Sequence, residues 1–587
     1  MEQYTRLFDI LSYQLANHPQ PDALCGKPQG KWVKYSTQDV IDHVDKVSLG
    51  LIALGVEKDD KIGLISTNRP EWNFIDYGVL QLGAQDVPIY PTISSEDYAY
   101  IFNDAKIKYC FVEDQELLDK VTAIADRVPS LKGIYTFEEL EGAQHWSKVL
   151  ELADEKNRPK LEEMKAAVDP QDLATLIYTS GTTGTPKGVM LTHDNLASNV
   201  RSTLAELPIT AEHTVFSFLP LCHSFERMVT YTYMAIGASI YYAESMETIG
   251  ENLKEVRPHF FTSVPRLLEK VYDKIVAKGH EQTGIKKKLF FWALHLALEY
   301  EFEGKSAWYK FQLNLANKVI FSKWREALGG RLIGIVTGAA ALQPKLAKAF
   351  SAAQISCREG YGLTETSPVV SFNRFEEGGC IFGTVGYPIK DVQVKLAEDG
   401  EILVKGPNVM RGYYNQPEET AKVIDEDGWF HTGDLGKFVK GKFIKIIDRK
   451  KELYKTSGGK YVAPQPLENK FKESPLIEQM MVVGNDKKFV SALIVPSMDS
   501  LQSFCADNGI EYDTVEELLE HPNVIAAYEA VLAEYNPAFS NTEQIKKFKL
   551  LPNEWTIDGG ELTPTMKVKR KNILEKYAKE IEEMYNG

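Results

Sequence analysis

One stretch, residues 173–195, restricts the fold more than any other part of the chain. An apolar run at 173–177 leads into YTSGTTGTPKG at 178–188 and then into VMLTHDN at 189–195. Gly181, Gly184 and Gly188 allow close backbone approach and positive φ. The hydroxyls of Thr179, Ser180, Thr182 and Thr183, with successive N–H groups, can surround phosphate oxygens. Lys187 adds a mobile positive charge. Thr185 and Pro186 separate Gly184 from Lys187, so this is not a Walker A loop, where glycine and lysine adjoin. Such a loop calls for a buried strand ahead of it, and the residues behind it predict a short strand and a helix capped by Thr192.

The flanking sequence extends that pattern. Short apolar runs at 61–65, 86–90, 108–111 and 174–178, then at 239–242, 260–263 and 332–337, alternate with helix-like segments. The expected class is α/β: a large N-terminal domain of two layered α/β subdomains with largely parallel sheets, although no sequence repeat is visible. Beyond about residue 390, short alternating strands at 392–396, 401–405 and 442–447 predict a β-barrel-like subdomain. The charge-dense DRKKELYKTSGGK at 448–460 then marks a hinge. It divides the chain into 1–448 and a small α+β C-terminal domain, 449–587, with a hairpin over 479–495.

Residues 286–331 are dense in aromatics and cations at near-helical spacing and predict two helices. They fit either an interfacial, lipid-facing surface or a helical pair packed on a sheet beneath snorkelling lysines. The uncharged run 228–243 falls short of the roughly 20 residues a spanning helix needs, and predicts a buried helix and strand. With 67 Lys and Arg against 82 Asp and Glu, the net charge of −15 argues against nucleic acid as a partner. Any phosphate must be held by local devices. The six cysteines, Cys25, Cys110, Cys222, Cys357, Cys380 and Cys505, show neither CxxC nor zinc-ligand spacing. The N-terminus carries Glu2 and Asp9 and no apolar signal region, so a cytoplasmic protein is expected.

Further motifs follow the loop in order: GAAA at 338–341, REGYGLTET at 358–366, WFHTGD at 429–434, DRKKE at 448–452 and LTPTMKVKR at 562–570. On these, nearly the whole chain resembles the acyl-adenylate-forming (AMP-binding) superfamily, which includes acyl-CoA synthetases, luciferase-like enzymes and adenylation domains of peptide synthetases. The resemblance implies that Thr179, Ser180, Gly181, Thr182, Thr183, Gly184 and Lys187 surround the phosphates. Tyr361 would stack on adenine, Gly362 would let the backbone pass the ribose phosphate, and Gly338, Ala339 and Ala340 would lie along the nucleotide and acyl group. Thr364 is implied on the α-phosphate, Glu365 on Mg2+, and Asp434 with Arg449 on the ribose. Lys451 matches the hinge position, while Gly458 and Gly459 match the loop that meets the pantetheine arm of coenzyme A. Lys567 matches the catalytic lysine, with Lys569 as second candidate. Two departures stand out: Met566 where the family usually has glycine, and Pro466 where many relatives carry glutamate.

The segment FLPLCHSFERM at 218–228 resembles the acyl-pocket motif of the long-chain fatty acyl-CoA synthetases and places His223 beside the acyl carboxylate or nucleotide. The implied reaction activates a long-chain fatty acid with ATP and Mg2+ to acyl-adenylate, releases pyrophosphate, and transfers the acyl group to coenzyme A. The alternative is a fatty acyl-AMP ligase that loads a carrier protein. A degenerate binding scaffold would have lost the charged set Lys187, Glu365, Asp434 and Lys567. The expected state is a monomer or homodimer with at most peripheral membrane contact.

Overall fold

KIGLI (Lys61–Ile65) and LATLIYT (Leu173–Thr179) are buried at consecutive positions, from Ile62 to Ile65 and from Ala174 to Tyr178, as strands covered on both faces must be; the first is paired in parallel on both sides, the second in parallel on one side and antiparallel on the other. The structure, a computed structural model, describes residues 4–179, 186–557, 559–563 and 566–586. Two compact units emerge, 1–395 with 403–432, and 396–402 with 433–587. The division comes earlier in the chain than the expected boundary at 448/449. Buried Asp448 accepts from the backbone N–H of Gln465 at 3.1 Å, which ties the residues before that boundary to those after it.

The first unit holds two largely parallel sheets. One runs Gly412–Tyr413, Lys187–Thr192, Leu173–Thr179, Gln85–Pro88, Lys61–Ile65, Ile107–Val112, Gly133–Thr136, Gln144–His145, with only its first two pairings antiparallel. The other has six parallel strands at its centre: Leu24–Gly26, Ser239–Tyr242, Thr214–Ser217, Phe260–Ser263, Gly334–Thr337 and Cys357–Gly362. Antiparallel strands Val33–Tyr35, Val369–Phe372 and Tyr387–Pro388 complete its edges. These are the two α/β subdomains expected from the alternating runs.

The uncharged run folds as the buried helix Ser224–Ile236 and the strand Ser239–Tyr242. Arg227 anchors that helix: its guanidinium meets Asp76 at 2.6 Å and Asp86 at 2.7 Å, and donates to Thr175 Oγ1 at 2.8 Å. A buried arginine held by two carboxylates is costly to break. It locks the helix to strand Leu173–Thr179.

The aromatic insert contains one helix more than expected. Gly284–Leu298 and Ala307–Ala316 are followed by a π turn, Asn317–Phe321, and a short helix, Ser322–Ala327. Phe290, Leu294, Tyr309, Phe321 and Trp324 pack inward, while Trp308, Phe311, Leu315 and Val319 face solvent. Among the described residues no helix is long and apolar enough to cross a membrane.

In the second unit, residues 434–439 pair antiparallel with 443–449, and the Gly436 N–H donates to the carbonyl of Gly400 at 3.0 Å. These are the residues of this unit that correspond to the barrel-like subdomain. A three-stranded sheet follows, Ile477–Val483 antiparallel to Val490–Pro496, and Ile545–Leu550 parallel to the latter. Helices Pro464–Phe471 and Pro522–Tyr535 cover one face of it.

Candidate functional site

Strand Leu173–Thr179 is followed by strand Lys187–Thr192, with Thr179 opposite Lys187 in antiparallel register. Five of the expected phosphate contacts, Ser180, Gly181, Thr182, Thr183 and Gly184, lie outside the described residues. Behind the loop, Thr192 closes a capping box with Asn195 at the start of helix His193–Leu204, as its sequence position predicts.

Lys187 forms an ion pair with Glu419 at 2.5 Å and lies over the Tyr413 ring at 4.9 Å. Glu419 also contacts Lys422, and hydrogen bonds from Lys187 and Lys422 hold its carboxyl down at about 2. The hydroxyl of Tyr413 donates to Glu365 Oε1 at 2.9 Å, and the Met410 N–H donates to the Glu365 carbonyl at 2.8 Å. Gly412 and Tyr413 pair with Met190 and Val189 on strand Lys187–Thr192. One short segment thus joins Lys187 to Glu365. Sequence reasoning missed Tyr413 and Glu419; the run GYYNQPEET at 412–420, aromatic and acidic beside a glycine, was the available signal.

Thr364 Oγ1 lies 3.2 Å from Ser224 Oγ, which brings the 361–366 motif against the segment carrying His223. His223 caps helix Ser224–Ile236, its Nδ1 accepting from the Phe225 N–H at 3.1 Å. Gly338 borders this site: a Cβ there would stand 3.6 Å from the Gly360 carbonyl and 3.8 Å from the Phe225 ring. Ala339 has φ +58 and is half-buried, whereas Ala340 is exposed, so neither is a core-packing residue. Tyr361 is half-buried at the end of strand Cys357–Gly362. Gly362 has an internal reason to be glycine, since a Cβ would fall 1.9 Å from the Pro368 carbonyl oxygen. Glu359, unremarked in the sequence, accepts from the Leu342 N–H at 2.9 Å and so fixes the loop 338–342; burial pushes its carboxyl up to about 8.

Among the described residues, no group of three or more His, Cys, Asp or Glu is placed to hold a metal ion. A magnesium ion bound by one carboxylate and substrate phosphates needs no such cage, and Glu365, half-buried and aimed by Tyr413, fits that arrangement.

In the second unit, Asp434 is buried and its Oδ1 meets Arg449 Nε at 3.2 Å, the two being register partners. The turn after Arg449 is tied on each side of exposed Lys451. Lys450 pairs with Asp399 at 2.6 Å and Glu401 at 2.9 Å, and Glu452 meets Arg570 at 3.1 Å. Gly458 and Gly459 are exposed at the tip between strands Tyr454–Lys455 and Tyr461–Val462, and Gly459 has φ +75. Exposed Lys567 exchanges backbone hydrogen bonds with Thr563, donating to its hydroxyl at 3.0 Å and accepting from its N–H at 2.8 Å. Met566 takes φ +60, the left-handed conformation that favours glycine. The departure from the usual glycine therefore occurs at a position whose backbone geometry suits that residue.

The AMP-binding enzyme family matches residues 11–414, and the AMP-binding enzyme C-terminal domain matches 452–587. The chain is 34% identical over 564 residues to the long-chain-fatty-acid–CoA ligase FadD15 of Mycobacterium bovis, covering 95% of this chain and 93% of that protein. It is 33% identical to human long-chain-fatty-acid–CoA ligase 1, covering 95% and 82% respectively. Its fold matches the anthranilate CoA ligase AuaEII solved with anthranoyl-AMP, at TM-score 0.73 and 18% identity, over 98% of this chain and 97% of that one. It also matches the A domain of carboxylic acid reductase from Segniliparus rugosus solved with AMP and a co-purified carboxylic acid, at TM-score 0.74 and 22% identity, over 99% and 94%. The site geometry, the two matched domains and the near full-length similarity agree: the chain belongs to the AMP-binding enzyme family.

Proposed function

We propose that the protein activates a long-chain fatty acid with ATP to acyl-adenylate, releasing pyrophosphate, and then transfers the acyl group to coenzyme A to give acyl-CoA and AMP. The observation that carries this reading is the meeting of Lys187 and Glu365 on Tyr413, directly beside the phosphate-loop strand. Similarity to two long-chain ligases along nearly the whole chain supports the substrate class.

In the first step a carboxylate oxygen bonds to the α-phosphorus and the bridge to the β-phosphate breaks. Two anions must converge, and at about 4 Å their repulsion is roughly 4 kcal/mol with an effective dielectric near 20. Lys187 offsets charge on the departing pyrophosphate and Thr364 donates to the α-phosphate, which is electrostatic rather than acid–base catalysis. Glu365 would hold Mg2+ together with phosphate oxygens, and the ion neutralises phosphate charge there. His223, fixed by its capping bond, borders the acyl carboxylate, and Tyr361, Gly362, Gly338, Ala339 and Ala340 line the nucleotide and acyl group. The loop 180–184 completes the phosphate contacts.

In the same reading Asp434 and Arg449 hold the ribose, and Lys567 brings charge to the carboxylate and α-phosphate. The C-terminal residues from 449 then turn about Lys451 for the thioester step, presenting Gly458 and Gly459 to the pantetheine arm. The Asp434–Arg449 pair, the exposure of Lys567 and the turn position of Lys451 support these roles. This reading places the protein in the cytoplasm as a monomer or homodimer, with at most peripheral contact at the membrane surface.

The test is product analysis by mass spectrometry with Mg-ATP, a fatty-acid series and coenzyme A present or absent. Acyl-CoA and AMP in equal amounts, chiefly with the longer acids, are expected. Acyl-adenylate that persists with coenzyme A present would mean a carrier protein as acceptor, and ADP in place of AMP would overturn the reading.

A further inference from the structure

The helix pair that opens the aromatic insert presents apolar side chains in two directions. One set is in the core. The other stands outward on helix Ala307–Ala316 and the π turn after it: Trp308, Phe311, Leu315 and Val319, at intervals of three, four and four residues, occupy one stripe. Trp308 is 65% and Phe311 60% exposed, with their rings stacked at 5.5 Å. The preceding helix runs antiparallel, since the Tyr309 hydroxyl donates to the Leu296 carbonyl and Trp292 Nε1 donates to Gln312. Its first two turns, with exposed Ile285 and Leu289, therefore lie toward the Leu315 end. Lys286, Lys287, Lys288, Lys310 and Lys318 are exposed around these residues.

Solvated singly, such residues need no explanation; as a contiguous aromatic stripe they do. The charge around it identifies the partner. Residues 284–325 hold eight cations against three carboxylates, in a chain whose net charge is −15. We infer that this stripe docks the protein on an anionic lipid surface, with Trp308 and Phe311 at headgroup level and the flanking lysines on lipid phosphates. A second copy of the chain is the poorer partner, because facing stripes would bring the two lysine sets together. The inference names the surface for the peripheral contact proposed above and rests on that reading only for its purpose: a long-chain acid is met at a membrane. Trp292, on the preceding helix, is half-buried and hydrogen-bonded, so it lies outside the docking surface.

The test is co-sedimentation of the full chain, without ATP, acid or coenzyme A, with vesicles of phosphatidylcholine containing about one-third phosphatidylglycerol. Wild type is expected to bind these vesicles, to bind pure phosphatidylcholine several-fold more weakly, and to be released by high salt. The pair Trp308→Ser with Phe311→Ser, and separately the triple Lys286→Glu, Lys287→Glu and Lys288→Glu, should each reduce the bound fraction several-fold, while Trp292→Phe should not. Wild type that stays in solution, or altered chains that bind as wild type does, would overturn the inference. So would concentration-dependent self-association that the Trp308 and Phe311 changes abolish, which would assign the stripe to a second copy. Because no turnover is read, failure here and failure of the ligase assay are separate results.

Discussion

Lys187 and Glu365 each already have a partner on the segment 413–419, and this constrains how the site can work. Glu419 forms an ion pair with Lys187, so an anionic ligand at Lys187 would have to compete with that carboxylate. Glu419→Gln is expected to lower the inhibition constant of pyrophosphate several-fold in product-inhibition assays, because the competing charge is gone while the hydrogen-bonding shape remains. An unchanged constant would mean that Lys187 does not face the leaving group. Neither Tyr413 nor Glu419 was legible in the sequence as a site residue. Their partners lie 48 and 232 positions away, and only the sheet pairing of Gly412 and Tyr413 with Met190 and Val189 brings them together. Thr192, by contrast, was readable as a cap, since its partner Asn195 is three residues on and capping is a local event.

That cap acts at the scale of the element. It starts the buried helix His193–Leu204, so Thr192→Ala should cost about 1 kcal/mol in denaturant unfolding and Thr192→Ser should restore most of it. Equal stability of all three chains would contradict the capping geometry. Helix Ser224–Ile236 offers a test by pH. Glu226 is buried, with Ser217 and Thr262 hydroxyls at 2.6 and 2.5 Å, and burial pushes its carboxyl up to about 7. The unfolded chain has an ordinary carboxyl near 4.5, so folding favours the protonated form. The contribution is complete below about 4.5 and is lost as pH rises through about 7. Between those values Glu226 alone should lower stability by roughly 3 kcal/mol. In Glu226→Gln that share of the pH slope should vanish; an identical slope in both chains would show that Glu226 ionises normally. The helix and strand of this stretch were legible from length and lack of charge, but the Arg227 anchor was not, because Asp76 and Asp86 lie on separate elements more than 140 residues earlier.

For the whole molecule, the alternation of apolar runs announced two α/β sheets, and the runs at 61–65, 239–242 and 260–263 coincide with the observed strands. Strand order was not readable. Lys61–Ile65 sits between Gln85–Pro88 and Ile107–Val112, an arrangement set by crossover helices rather than by any single segment. The charged stretch at 448–460 suggested a boundary that the compact division places before residue 433, because buried Asp448 bonds forward to Gln465. If the C-terminal residues nevertheless act as a moving part, Lys567→Ala should lose acyl-adenylate formation by several orders of magnitude yet retain most thioester formation from supplied acyl-adenylate. Parallel loss of both steps would remove Lys567 from the first. Acyl-adenylate formation itself is tested most directly by exchange of labelled pyrophosphate into ATP with Mg2+ and a long-chain fatty acid, coenzyme A being left out. Label should enter ATP only when the acid is present and faster with longer chains; exchange without acid, or none with any fatty acid, would contradict the account.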